Sequence, residues 1–201
     1  MSSCLNTNKS YEAIMKVKNI VKISISLLML ATAVNADASA ALHIEGNYNA
    51  KNISLTQPLV VDGSAKINGG TFNGGEINGS LSLTDVNVLG VIKVNGSLEA
   101  INSTFLKETR INGSLKGNNS VFKSDLLISS SKTILNNCNT KNIYIKKSSS
   151  SIFSMNKENT VYLNGNSQVN GNIKFADTGI VYVEKGVKIA GKVINGKVVS
   201  K

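Results

Sequence analysis

The chain has 201 residues and a formal charge of +10, nearly all of it from lysine, with Arg110 the only arginine and no tryptophan. That balance argues against a dedicated nucleic-acid reader, which favours arginine forks and stacking aromatics. It points instead to solubility and to attraction for anionic polymers or lipid head groups. Abundant Gly and Asn, with no apolar 3.6-residue period beyond Ala38, exclude long helices.

Residues 1–38 read as a targeting segment. Lys16, Lys18 and Lys22 precede an apolar run from about Ile23 to Val34, and small residues follow. This is the secretory order of basic, apolar and small-residue regions, with Val34-Asn35-Ala36 or Ala36-Asp37-Ala38 as cleavage sites. Met15 is the alternative start, giving a compact basic region, and an uncleaved anchor is the competing reading. The expected location is therefore outside the cytoplasm, periplasmic or extracellular, with no membrane span after cleavage. About 160 residues then remain, enough for one domain with a continuous core.

Residues 39–59 read as an irregular lead-in. Leu42, Ile44, Ile53 and Leu55 are its candidate strand residues, capping one end of whatever follows. Pro58, the only proline, cannot donate to a ladder and belongs at an edge or corner. Residues 60–201 form the main domain. Its first part, Val60 to Glu76, bends at Asp62-Gly63, Asn68-Gly69-Gly70 and Asn73-Gly74-Gly75.

One pentad then recurs three times in steps of 17 residues: Ile77-Asn78-Gly79-Ser80-Leu81, Val94-Asn95-Gly96-Ser97-Leu98 and Ile111-Asn112-Gly113-Ser114-Leu115. A step this short is too small for a helix pair or a propeller blade and suits one coil of a β-solenoid. The fold class expected is all-β: a single-stranded parallel β-helix with about 17 residues per coil and seven or eight coils. It is taken as right-handed from the preference of parallel crossovers. Ile77, Val94 and Ile111 with Leu81, Leu98 and Leu115 then form inward apolar ladders, and Val88, Phe105 and Phe122 form a third. The step continues to Ile128 and Ile145, although Asn-Gly has become Ser129-Ser130 and then Lys146-Lys147. Asn78, Asn95 and Asn112 would stack as an amide ladder, while Gly79, Gly96 and Gly113 would supply a backbone angle that other residues resist. The competing architecture is an antiparallel meander, since Asn-Gly is also a hairpin signal. An outer-membrane barrel would need longer alternating strands and aromatic girdles.

Residues 146–159 are the most polar segment and read as a looser coil, with Ile152, Phe153 and Met155 facing in. Beyond Leu163 the step lengthens, as the spacing from Tyr162 to Tyr182 shows. Lysines on the last stretch, Lys192, Lys197 and Lys201, would discourage end-to-end growth.

Chemistry is thin. His43 is the only histidine, and no nucleophile elbow surrounds any Ser. Zinc ligands and calcium nonapeptides are missing, and Gly69-Gly70 and Gly74-Gly75 lack a phosphate loop's lysine. No cofactor or metal site is expected. Glu108 and Arg110 are the one carboxylate–guanidinium pair close in sequence. Cys4 would leave with the leader, so Cys138 is read as a buried, inert thiol, with an intermolecular bridge as the alternative.

The 17-residue recurrence and the ending Val187-Lys-Ile-Ala-Gly-Lys-Val-Ile-Asn-Gly-Lys-Val resemble the short Gly-spaced coils of bactofilins and related polymer-forming β-helix proteins. The resemblance covers roughly Val60 to Lys201. It implies a compact, right-handed, three-sided helix assembling end to end as a non-enzymatic scaffold. Bactofilins are cytoplasmic, whereas this chain carries an export pattern. The function expected is an exported, non-catalytic solenoid with a structural, adhesive or surface-interaction role in the cell envelope. Its partners would be anionic envelope polymers or its own copies. The alternatives are a polysaccharide-acting β-helix enzyme and a carbohydrate-binding module.

Overall fold

A computed structural model describes residues 40–130, 132–146 and 158–201. The leader reading and the inward residues expected at Ile152, Phe153 and Met155 lie outside the described residues. Within them the chain winds about nine times into an all-β solenoid, and its strands pair in parallel as one continuous sheet.

Each winding has three faces. The first face stacks the strands Leu42–Ile44, Leu59–Val61, Gly75–Ile77, Ile92–Val94, Thr109–Ile111, Leu126–Ile128 and Ile143–Ile145. It ends in the opening residues of the strands Ile173–Val183 and Val193–Ser200. The second face takes the first halves of Tyr48–Leu55, Ala65–Phe72 and Leu81–Val88, then Leu98–Ile101, Leu115–Asn118, Lys132–Asn136 and Asn159–Asn164. It is completed by the later parts of the same two C-terminal strands. The third face takes the second halves of those three eight-residue strands, then Thr104–Phe105, Val121–Phe122, Asn139–Thr140, Gln168–Val169 and Lys188–Ile189.

The 17-residue step is the first-face register: Ile77, Val94, Ile111, Ile128 and Ile145 are partners in turn. Leu81, Leu98 and Leu115 are partners on the second face, and Val88, Phe105 and Phe122 on the third. All eleven point inward and are buried. Each fully buried aliphatic side chain contributes about 1.5–3 kcal/mol relative to exposure, so three continuous apolar ladders hold the stack together. The rings of Phe105 and Phe122 lie 4.6 Å apart and 10° from parallel. Room for them comes from Ala100 and Gly117, adjacent coils' partners on the second face. A Cβ on Gly117 would already stand 2.9 Å from Leu135 Cδ2 and 3.0 Å from Cys138 Sγ. Small residues on one wall are the space for large ones on another.

Two readings of the sequence need correction. Leu42, Ile44, Ile53 and Leu55 do stand in strands, but residues 42–55 form a regular coil and not an irregular lead-in: Leu42 pairs with Leu59 and Tyr48 with Ala65. Its divergent sequence hid the step, because Glu45-Gly46-Asn47 stands where the next corner reads Asp62-Gly63-Ser64. Counting this coil and the incomplete last one gives about nine windings rather than seven or eight. The second correction concerns the pentad glycines. Gly79, Gly96 and Gly113 are absent from the positive-φ residues. They are needed for proximity: a Cβ on Gly96 would lie 2.7 Å from the carbonyl carbon and oxygen of Gly79, and one on Gly113 would lie 2.5 Å from Gly96 O.

Departures from the step are absorbed at corners. The second coil is one residue short, Leu59 pairing with Gly75, and the tight corner uses Gly74 at φ +71° and Gly75 at φ +133°. In the sixth coil Leu115 pairs with Thr133, one residue late, and the first-face register is nevertheless regained when Leu126 pairs with Ile143. The seventh winding, from Ile143 to Ile173, is the longest, and the eighth, from Ile173 to Val193, also exceeds the pentad step.

Candidate functional surface

The corner between the first and second faces carries the pentad's polar residues outward. Asn78 Nδ2 donates to Asp62 Oδ1 at 3.1 Å, Asn95 Nδ2 to Asn78 Oδ1 at 2.8 Å, and Asn112 Nδ2 to Asn95 Oδ1 at 2.8 Å. An amide is self-complementary along such a stack, because each rung presents a donor to one neighbour and an acceptor to the other. A serine column runs beside it. The Ser80 amide donates to Ser64 Oγ at 3.0 Å, the Ser97 amide to Ser80 Oγ at 3.2 Å, and the Ser97 and Ser114 hydroxyls are 2.9 Å apart. This column walls a shallow open depression of about 650 Å³, with Lys66, Ser82, Glu99 and Lys116 along its second-face side.

Three ion pairs lie on these coils. Glu76 Oε1 accepts from Lys93 Nζ at 2.6 Å and from Asn95 Nδ2 at 2.9 Å. The Lys93 hydrogen bond first, and then that of Asn95, hold the Glu76 carboxyl below the usual glutamate range. Glu99 pairs with Lys116 at 2.9 Å. Glu108 and Arg110 form an ion pair. No third acid joins them in a metal-holding group: among the described residues no three His, Cys, Asp or Glu converge. His43 is exposed on the first face opposite Val60. No helix among the described residues is long and apolar enough to cross a membrane.

Three features escaped sequence reasoning. The corner between the second and third faces is the left-handed one, occupied by Asn52, Gly69, Asp85, Asn102, Asn119 and Asn137, with φ between 49° and 80°. Asn, Asp and Gly are the residues that tolerate this region. The signal was present as Asn/Asp/Gly at near-17 spacing, but no fixed motif surrounds it. Next to this corner a column of small polar residues turns inward. Ser103 Oγ donates to Ile101 O at 2.8 Å and Ser120 Oγ to Asn118 O at 2.9 Å, while each hydroxyl accepts the backbone amide of the coil before it. Cys138 follows in the same column. Its thiol donates to Asn136 O at 3.3 Å, its backbone amide donates to Ser167 Oγ at 3.1 Å, and burial pushes its pKa up. Among the described residues it has no disulfide partner.

The third feature lies on the second face of the later coils. A further amide ladder, Asn118–Asn136–Asn164, runs there at 2.6 and 2.7 Å. It ends at Asn164 Oδ1, which is buried without a hydrogen bond. Beside it the outward rings of Tyr162 and Tyr182 stack, 5.0 Å apart and 12° from parallel. Lys201 Nζ lies 4.6 Å from the Tyr162 centroid and 5.6 Å from that of Tyr182, and Lys132 Nζ lies 5.6 Å from that of Tyr162.

No family model matches the chain, and neither a curated protein nor a solved structure matches it significantly.

Proposed function

We propose that this chain is an exported, non-catalytic solenoid with a structural, adhesive or surface-interaction role in a cell envelope, contacting anionic envelope polymers or further copies of itself. The observation that carries the reading is the ladder bonding of the pentad corner, where the polar side chains of successive coils bond to each other along the stack. Such groups make a rigid, repetitive surface and do not converge on a point where a substrate atom would react. The basic, lysine-dominated composition supports an anionic partner. The three-faced parallel stack, a β-helix repeat architecture, also supports a scaffold role.

The test has two arms. Cell fractionation of the full chain is expected to place it outside the cytoplasm, and recovery only from the cytosol would overturn the exported reading. Electron microscopy of purified protein distinguishes filaments from monomers. The outward tyrosine pair favours a second reading, a carbohydrate-binding module. Its test is binding of soluble glycans to the purified protein.

A further inference from the structure

Among the described residues three basic groups have carboxylate partners, and the other lysines, Lys66, Lys107 and Lys123 of the earlier coils among them, have no ion pair. In the third to fifth coils Lys93, Arg110 and Lys116 each have a carboxylate partner. On the second face of the sixth to ninth coils Lys132, Lys197 and Lys201 are exposed and have no ion pair among the described residues. These lysines gather around one structure. Lys132, Thr160, Ile180 and Lys197 occupy one register column, and Ile134, Tyr162, Tyr182 and Val199 the next. Lys132 and Lys201 both reach the Tyr162 ring, so two ammonium groups share one aromatic partner. Glu184, two residues beyond Tyr182 on the chain, is engaged by the backbone amide of Gly165 at 2.8 Å.

Two like charges held over one ring repel each other, and cation–π attraction of about 0.5–1 kcal/mol at an exposed site only partly offsets this. An anion placed between them relieves the repulsion. The second column adds an apolar ledge, made of the tyrosine edges and of Val199, which is 40% exposed. We infer that this platform docks an acidic polysaccharide: its carboxylates sit between Lys132, Lys201 and Lys197, and its C–H groups lie against the edges of the Tyr162 and Tyr182 rings and against Val199. The stacking axis gives the polymer its direction. Successive coils advance by about 4.8 Å, close to the advance of one pyranose unit, and Lys132 and Lys197 stand three rungs apart in their column, so acid groups about three sugar units apart on a glycan meet them. A lipid surface fits less well, because the two rings are stacked face to face and Val198 and Val199 offer only short side chains to insert between acyl chains. The inference rests on the surface-interaction reading above and assigns that reading a place and a ligand class.

The experiment is binding of the full chain to polygalacturonate by calorimetry. Dextran serves as the neutral glycan and phosphatidylcholine–phosphatidylglycerol vesicles as the anionic lipid. The wild type is expected to bind polygalacturonate and not dextran, with affinity falling as salt rises. The pair Lys132→Gln with Lys201→Gln is expected to weaken binding about tenfold or more, because it removes two charges that face the ligand. The pair Lys66→Gln with Lys116→Gln, on the serine depression, is expected to leave it within about twofold, the cost of weak long-range steering. All of these replacements are at exposed positions, and unchanged urea midpoints will show that the fold is retained. Loss of binding only in the Lys66/Lys116 pair would overturn this site while leaving a surface-interaction role standing. Vesicle binding as strong as polygalacturonate binding would overturn the polysaccharide assignment. Absence of binding to any anionic polymer would overturn the site, and the scaffold arm would then stand or fall on the microscopy alone.

Discussion

Gly96→Ala separates two explanations for the glycine in the pentad. If the residue were there for a left-handed backbone angle, any L-residue would be strained by its own φ. Gly96 has no positive φ, so alanine is acceptable to its own backbone. The new Cβ would nevertheless stand 2.7 Å from the carbonyl carbon and oxygen of Gly79 in the coil before it. Those atoms are backbone, and Gly79 O is the acceptor of the Gly96 amide at 3.0 Å. Relief therefore requires the corner to open and this bond to lengthen. Overpacking of this kind costs about 1–3 kcal/mol, and the lower entropy of the unfolded alanine chain returns about 0.4–1 kcal/mol. The net expectation is a destabilisation of about 1–2 kcal/mol, read as a lower urea midpoint by circular dichroism. Gly113→Ala, with Gly96 O at 2.5 Å from its Cβ, is expected to cost at least as much. A midpoint for Gly96→Ala equal to or above wild type would refute the close-approach argument.

Further outcomes follow from the interior. Thr109 Oγ1 is buried without a hydrogen-bond partner on the otherwise apolar first face. Thr109→Val, nearly the same shape, is expected to stabilise by about 1 kcal/mol, and a loss in the same urea assay would show that the hydroxyl is satisfied. Phe105→Ala removes one ring of the stacked pair and is expected to cost about 3–5 kcal/mol, so an effect below about 1 kcal/mol would mean that the third-face ladder is not a packed core. Cys138→Ser places a hydroxyl in a column that already holds Ser120 and Ser167; its expected cost is under about 1 kcal/mol. The wild-type thiol, buried and with its pKa raised, should resist a thiol reagent until the protein unfolds, and fast labelling in the native state would contradict its placement. Glu76 has a folded pKa below its unfolded one, so its contribution is present above the ordinary glutamate range and is lost as pH falls through the depressed value. Glu76→Gln should therefore flatten the acid limb of a stability–pH curve, and an unaltered limb would remove the Lys93–Asn95–Glu76 network from the account.

The parts of the fold legible in the sequence are those where one residue type repeats in one place. Ile77 to Ile145 repeat because this first-face position is filled by a buried aliphatic in each of these coils, and Val88, Phe105 and Phe122 repeat because they fill the third face. The amide ladder at Asn78, Asn95 and Asn112 was visible for the same reason. The left-handed corner was not, because Asn, Asp and Gly satisfy it interchangeably and Asn102 and Asn119 look like any loop asparagine. The first coil was hidden by substitution at its corner, although its registers are regular. The pentad glycines were legible in place but not in cause: sequence shows where a side chain is missing, and only the neighbouring coil shows what would occupy its space. The tyrosine platform depends on a lengthened step and on a lysine far along the chain, so no local pattern announces it.

Successive windings lie directly above one another in parallel. Asn49, Lys66, Ser82, Glu99, Lys116, Ile134, Tyr162 and Tyr182 form one outward column, one residue per winding. Spin labels placed on cysteines at Asn49 and, in turn, at Ile134, Tyr162 and Tyr182, in a Cys138→Ser background, measure that column by pulsed electron resonance. The account predicts separations of about 24, 29 and 34 Å, rising by about 4.8 Å per winding. Distances that do not lengthen by one strand spacing at each step would contradict it.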